Sequence, residues 1–211
     1  VVVAFDRPEL PFRHAMLPEY NAKRDPTPEL LIEQFGLVRV VLDVLNVPAV
    51  DLVGFEADDV LATIATEIAE AGDEAIIVTG DRDIYQMVRD PFIKVLYNRR
   101  GVSDYALYDE AGIVDRTGVT AALYPQYAAL RGDPSDNLPG VPGVGEKTAA
   151  KLINAYGDLD GIFEHVDEQT PKLRQNLTEF EDRARRNVDA MVLRTDAPVD
   201  FDKGSVEWGV V

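Results

Sequence analysis

The sequence predicts an α/β fold: a mainly parallel, twisted sheet flanked by helices, followed by a helical lobe. Three observations predict it. Apolar runs at Val1–Ala4 and Ala75–Val78 stop at Asp6 and at Thr79-Gly80, as buried parallel strands do. Stretches of helical period separate the extended runs, the alternation that builds a parallel sheet with covering helices. Beyond about residue 106 the strand patterns cease and short helices take over. An α/β core at 1–106 and a helical lobe at 107–211 are therefore expected.

A chain of 211 residues with 46% apolar and 28% charged residues has the makings of an ordinary folded core. No apolar run approaches the roughly 20 residues of a membrane helix, and no secretory signal pattern opens the chain. The absence of cysteine excludes disulfides and thiolate metal sites and suits a cytoplasmic location. With only two histidines, any metal site must rely on oxygen ligands, which favours Mg²⁺ or Mn²⁺ over zinc. The formal charge of −17 argues against nucleic acid at long range. That objection weakens if carboxylates gather in one metal-filled site while the basic residues cluster elsewhere.

Val1 to Asp6 is the first strand, beginning without a preceding turn, so upstream residues are expected. Residues 7–30 carry five prolines and no sustained periodicity, and they hold a basic and aromatic cluster of Arg13, His14, Tyr20, Lys23 and Arg24. A loop of this length is usually functional or disordered rather than a mere connection. Leu31, Phe35, Val38, Leu42 and Leu45 then mark one apolar face of a helix between Pro28 and Pro48. An extended segment from Ala49 to Val53 leads to a second helix, about Ala57 to Ala71, closed by Gly72. Ala75–Val78 and Ile93–Tyr97 supply further strands, the latter followed by a basic turn, Asn98-Arg-Arg-Gly101. Later come a glycine-rich stretch, Leu138 to Gly145, a helix from Glu146 to Tyr156, and a polar helix from about Lys172 to Leu193.

Acidic residues collect where these elements end: Asp6; Glu56, Asp58 and Asp59; Asp81 and Asp83; Asp133 and Asp136. Each group alone has a plain explanation. Acids favour helix N-termini by about 0.3–1 kcal/mol each, and Asp is an ordinary turn residue. Three acids within four residues exceed what capping needs, however, and ligands in open α/β sheets sit beyond strand carboxyl ends. A sheet order that unites these ends makes one acidic cleft, which divalent cations would stabilise against mutual repulsion. Two such ions about 3.5–4 Å apart suit phosphodiester hydrolysis.

The stretch from Leu138 to Leu152 is not a phosphate loop of the Walker A type. Counted from Gly140, that motif needs lysine where Glu146 stands, and no buried strand precedes it. A hairpin between two helices fits better. Gly140, Gly143 and Gly145 would expose backbone N–H groups at a helix start, with Thr148 following and Lys147 and Lys151 adding charge for a DNA phosphate. Packing alone is the plainer alternative.

Taken together, Ala4-Phe-Asp6, Gly54-Phe-Glu-Ala-Asp-Asp59, Thr79-Gly-Asp-Arg-Asp83, Ala129 to Asn137 and Leu138 to Thr148 resemble the 5′ nuclease (flap endonuclease) family. The resemblance is closest to the 5′→3′ exonuclease domain of bacterial DNA polymerase I and its stand-alone relatives. It implies a PIN/5′ nuclease-like fold and a Mg²⁺- or Mn²⁺-dependent phosphodiesterase acting on 5′ ends, nicks and 5′ flaps of DNA in replication and repair. It implies a monomer, joined to or cooperating with a DNA polymerase. By the matched motifs, Glu56, Asp58, Asp59, Asp81 and Asp83 would line the first metal site and its shell, Asp133 and Asp136 would build the second, and Asp6 would join the catalytic cluster. Residues 136–156 would match the helix–three-turn–helix that grips duplex DNA, with K⁺ on its backbone carbonyls. Residues 7–30 would match the helical arch over the 5′ single strand.

Two departures stand out. The family opens with a strand bearing a further aspartate in an Asp-Gly-Asn/Ser context, which this sequence does not contain. Relatives also follow the arch tyrosine with lysine, whereas Asn21 follows Tyr20 here, leaving Lys23 and Arg24 to steer phosphates. Two other functions compete with cleavage of flap DNA: a branched-DNA binding module without chemistry, and an RNA-cutting nuclease on a similar scaffold.

Overall fold

The computed structural model describes residues 1–23, 26–101 and 103–200. Its first half alternates as the sequence predicts. Strand β1 (Val3–Ala4) is followed by a short helix α1 (Arg13–Met16) and then α2 (Glu29–Val44), which starts after Pro28. Strand β2 (Ala49–Val50), helix α3 (Ala57–Glu70), strand β3 (Ala75–Thr79) and strand β4 (Ile93–Arg100) follow. β1 pairs with β2 and β3 with β4, both in parallel.

Two features depart from expectation. β4 runs on through the basic residues to Arg100, turns at Gly101 and returns as β5 (Asp104–Tyr108), antiparallel to β4. Arg99 and Arg100 are exposed strand residues, and strand structure continues past residue 106. The sequence hid this hairpin because β5 is polar at its start and mostly solvent-facing. Helix α2 forms where its period predicts, yet none of its residues is buried. Its apolar face stays open because no described element covers it, and Ile76 and Val78 of β3 are likewise exposed. β1 and β3 do not pair among the described residues, and a groove of about 460 Å³ separates them, floored by Ile64 and Ile68 of α3.

The second half is helical: α4 (Glu110–Thr117), α5 (Tyr124–Arg131), α6 (Glu146–Tyr156), α7 (Leu159–Glu164) and α8 (Pro171–Met191). Asp109 caps α4 by accepting from the Gly112 N–H at 2.8 Å, and Gly118 ends it in the left-handed region. Between α5 and α6 a small antiparallel ladder pairs β6 (Gly132–Asp133) with β7 (Leu138–Pro139). One continuous core joins both halves, from Ile77, Ile84 and Val95 to Leu130, Ile153 and Leu177. Each such side chain contributes about 1.5–3 kcal/mol on full burial.

The hairpin depends on close backbone approach. A Cβ on Gly140 would stand 2.4 Å from the backbone of Arg131 and Gly132, and Gly132 itself sits at φ +83°. The glycine at 140 is thus explained by packing between β6 and β7. Gly140→Ala is expected to lower unfolding stability by about 2–3 kcal/mol. Urea denaturation checks this, with Gly145→Ala, whose added Cβ meets nothing within 4 Å, as the mild comparison.

Candidate active site

Helix α3 begins at the cleft, and its acidic start divides among three tasks. The Ala57 N–H donates to Asp6 Oδ1 at 2.8 Å, so Asp6 covers an open helix end. The Glu56 N–H donates to Asp59 Oδ2 at 3.1 Å. Asp58 is left to face the cleft. Across from it, β3 ends at Thr79, and Asp81 Oδ1 accepts from the Asp83 N–H at 2.8 Å as the chain enters a 3₁₀ turn, Asp83–Met87. The third wall is the β6–β7 loop. Its Asp136 carbonyl accepts from the Asn21 N–H at 2.9 Å, and Asn137 donates through Nδ2 to the Glu19 carbonyl at 2.8 Å.

These walls enclose a cavity of about 90 Å³ that brings together Asp6, Glu56, Asp58, Asp81, Asp83 and Asp136, with Arg13, Tyr20 and Leu193. Asp133 lies beside it. Its carboxylate accepts from Arg131 Nη2 at 3.2 Å and from the Ser135 N–H at 2.9 Å. A larger cavity of about 750 Å³ elsewhere, with Glu110 its one carboxylate, lacks this chemistry.

Three expected site residues are placed otherwise. Asp59 is fully buried behind the cleft, where Arg13 Nη1 and Nη2 donate to its two oxygens at 2.6 and 2.8 Å. It is a structural partner there and does not line the cavity. Arg13, expected on DNA, is only 2% exposed and is spent on Asp59, on Glu56 at 2.8 Å and on two backbone carbonyls. Tyr20 is buried as well and donates its hydroxyl to Glu56 Oε2 at 3.1 Å. Composition identified a basic and aromatic cluster, but only the fold reveals that acids behind the cleft claim it. Lys23 is exposed, and Arg24 lies outside the described residues.

The electrostatics are those of crowded anions. Burial, then Asp81 and Asp6, push the Asp58 carboxyl up to about 7. Burial, then Asp81, Asp136 and Asp133, push Asp83 well above the usual range. Glu56 is also raised, because burial outweighs the pull of Arg13 and Tyr20. An all-oxygen, negatively charged donor set of this kind suits Mg²⁺ or Mn²⁺. Among the described residues, no three histidine or acidic side chains are arranged around one ion position. The acids are thus gathered in one cavity without being closed on a point.

On the other side of the Asp81–Asp83 turn, Arg82 reaches away to Glu146 Oε1 at 3.3 Å, and Arg131 reaches the same oxygen at 3.5 Å. Glu146 opens α6 next to the hairpin, where Val144 turns back on Val141 through a 3.0 Å backbone bond. Gly143 holds φ +79°, and Gly145 is the residue before α6. Lys147 and Lys151 are exposed one turn apart, and Thr148 is half-buried. Sequence reasoning missed Gln86 and residues 190–197, which lie beneath the cleft. The hydrogen bonds that tie them to the walls use their backbone atoms and the Gln86 amide, which leave no pattern in the sequence.

Comparison with known proteins agrees with this architecture. The family model described as "5′-3′ exonuclease, N-terminal resolvase-like domain" matches residues 1–118, and "5′-3′ exonuclease, C-terminal SAM fold" matches residues 119–210. The chain belongs to the 5′-3′ exonuclease family. DNA polymerase I of Mycobacterium tuberculosis is 45% identical over 84% of this chain, and that of Bacillus subtilis is 35% identical over 99%. The chain spans only 20% and 24% of those two proteins. A solved phage T5 5′-exonuclease with bound zinc superposes with a TM-score of 0.77 at 25% identity, over 90% of this chain and 73% of its own. The Rad2 catalytic core in complex with a DNA substrate, at 20% identity and a TM-score of 0.63 over 98% of this chain and 69% of its own, shares the fold.

Two outcomes follow from the buried charges. Arg13→Met strands the Asp59 carboxylate in the core and is expected to cost about 3–5 kcal/mol, most of it recovered by the double variant Arg13→Met/Asp59→Leu. Chemical denaturation of the three proteins checks this. The second outcome concerns pH. An acid whose pKa rises on folding binds a proton on folding between its two values, so stability falls as pH climbs through that interval. For Asp58 the interval runs from 3.8 to about 7. The metal-free chain should therefore melt several degrees lower at pH 7.5 than at pH 5, and Asp58→Asn should flatten that difference. Calorimetry in chelator reads both.

Proposed function

We propose that this chain is a structure-specific 5′ nuclease that hydrolyses phosphodiester bonds at 5′ ends, nicks and 5′ flaps of DNA, using Mg²⁺ or Mn²⁺. The observation that carries the reading is the single cavity uniting Asp6, Glu56, Asp58, Asp81, Asp83 and Asp136 beside a glycine hairpin. The solved phage T5 flap endonuclease complex with DNA and metal ions, 25% identical with a TM-score of 0.76, supports the same assignment. When bound, divalent ions supply an activated water and a counter-charge for the leaving oxygen.

Within this reading, Asp58, Asp81, Asp83, Asp136 and Glu56 hold the metals, with Asp133 supporting the second group from beside the cavity. Asp6 keeps the α3 start in register through the Ala57 N–H. Arg13 and Tyr20 hold Glu56 from behind. The amides around Gly143 and Gly145, with Lys147, Thr148 and Lys151, take a duplex phosphate without reading bases. A K⁺ ion on the hairpin carbonyls belongs to the same reading and rests on family resemblance alone. Lys23 is the exposed cation on the arch side. The polymerase I relatives support a role in DNA replication and repair and linkage to a polymerase.

A binding module without chemistry draws on one observation: no three acidic side chains are arranged around one ion position among the described residues. A flap substrate separates the two. The parent chain should release the 5′ arm only with divalent metal. Asp83→Asn and Asp136→Asn should each lower the rate about a hundredfold or more while duplex binding persists. Unchanged cleavage in both variants would sink the metal assignment. Salt-sensitive binding with no cleavage by the parent at any Mn²⁺ concentration would favour the module.

A further inference from the structure

The floor of the carboxylate cavity is formed by the last residues of α8, Ala190 and Met191, and the extended residues that follow them, and its two sides are tied to opposite walls. The last carbonyls of a helix have no partner within it, and in the extended backbone beyond it the N–H and C=O of successive residues point to alternate edges. Here one edge serves the α3 wall. The Ala190 carbonyl accepts from Arg13 Nε at 2.6 Å and the Val192 carbonyl from Arg13 Nη2 at 3.3 Å. The Arg194 N–H donates to Asp59 Oδ1 at 3.0 Å. The other edge serves the Asp81–Asp83 wall through a single side chain. Gln86 Nε2 donates to the Met191 carbonyl at 2.8 Å and to the Asp83 carbonyl at 2.9 Å, while its Oε1 accepts from the Leu193 N–H at 3.0 Å. Leu193 itself lines the cavity between the walls.

We infer that residues 190–194 act as a strap fixing the spacing of the two acidic walls, with Gln86 the positioning residue that ties the Asp83 wall to it. Gln86 is the only side chain of the described structure that bonds both the Asp83 backbone and the strap. Asp83 itself closes a turn on Asp81 through its N–H, so a shift of its carbonyl moves both acids against Glu56 and Asp58. The strap also continues α8, which holds the hairpin. Asn176 Nδ2 donates to the Pro142 carbonyl at 2.7 Å and Asn187 Nδ2 to the Pro139 carbonyl at 3.0 Å. α8 is kinked at Phe180, and its second segment, through Asn187, connects the hairpin directly to the cavity floor. The inference rests on the metal reading above and deepens it, since a gathered but unclosed set of acids can hold ions only if wall spacing is controlled.

Coupling of this kind is reciprocal, because whatever the strap contributes to metal affinity, metal returns to strap order. Hydrogen exchange on the unsubstituted chain, with and without Mn²⁺, reads it directly. The Leu193 and Arg194 amides should exchange about tenfold more slowly when Mn²⁺ is bound. Gln86→Met, of similar volume and without the three hydrogen bonds, should weaken Mn²⁺ binding by about tenfold or more. Excess Mn²⁺ should then restore most of the cleavage rate, a recovery that mere loss of folding would not show. Mn²⁺ binding that leaves both strap amides unprotected overturns the strap, as does a folded Gln86→Met variant with parental Mn²⁺ affinity. Failure of the parent chain to bind Mn²⁺ at all overturns the metal reading itself, and the strap's role with it.

Discussion

Arg13 and Asp59 form an ion pair that neither shares with water, and the geometry of the cleft hangs on it. A buried pair of this sort contributes stability only when every remaining donor and acceptor is met. Both sides meet that condition. The five N–H donors of Arg13 are taken by Asp59 twice, Glu56 once, and the carbonyls of Ala190 and Val192. The oxygens of Asp59 accept from Arg13, from the Glu56 N–H and from the Arg194 N–H. Three stretches distant in sequence (the segment after β1, the start of α3 and the end of α8) therefore meet at one guanidinium. Glu56 is presented to the cavity by that same guanidinium, so the acid wall inherits its position from a cation that is itself almost wholly buried.

This arrangement explains why an acidic stretch that looked like one functional unit divides in two. Glu56 and Asp58 face forward and share the repulsion of Asp6, and Asp58 meets that of Asp81 as well. Asp59, next in the chain but turned about a hundred degrees around the helix, faces back into the core. Helical geometry forces that split. Sequence proximity alone could not assign the three residues their sides, because the partner that claims Asp59 lies 46 positions upstream.

Much of the fold is legible in the residues. Helix periods located α2 and α3; α6 and α8 fall where later helices were expected, and the acids after β1 and β3 marked the cleft's edge. The hidden parts share a physical cause. β5 escapes notice because it alternates poorly and stays solvent-facing. The strap has no signal because its contacts are made by backbone atoms, which every residue carries alike. Arg13 and Tyr20 look like surface ligands of phosphate because their chemistry is that of surface ligands, and only the surrounding packing turns them inward. Gly140 is similar: its exposed-amide role and its packing role need the same residue, and the 2.4 Å approach of neighbouring backbone favours packing.

Arg82 supplies the last step. A cation between Asp81 and Asp83 ought to neutralise them and so relieve the cavity of its charge. It does not, because β3 ends at Thr79 and Arg82 lies in the turn that Asp81 and Asp83 close on each other, which sends its side chain to the other side. The two acids turn into the cavity and Arg82 turns out, to Glu146 at the start of α6. Arg131 joins it there, so two cations neutralise the one acid that would otherwise repel a phosphate at the hairpin. Arg82 is thereby kept away from the cavity, at the boundary with the helical half. Arg13 is the one cation lining the cavity beside six carboxylates, so most of the negative charge gathered there has no partner of opposite sign among its lining residues. The formal charge of −17, which argues against DNA when spread evenly, is thus partly gathered in this one cavity.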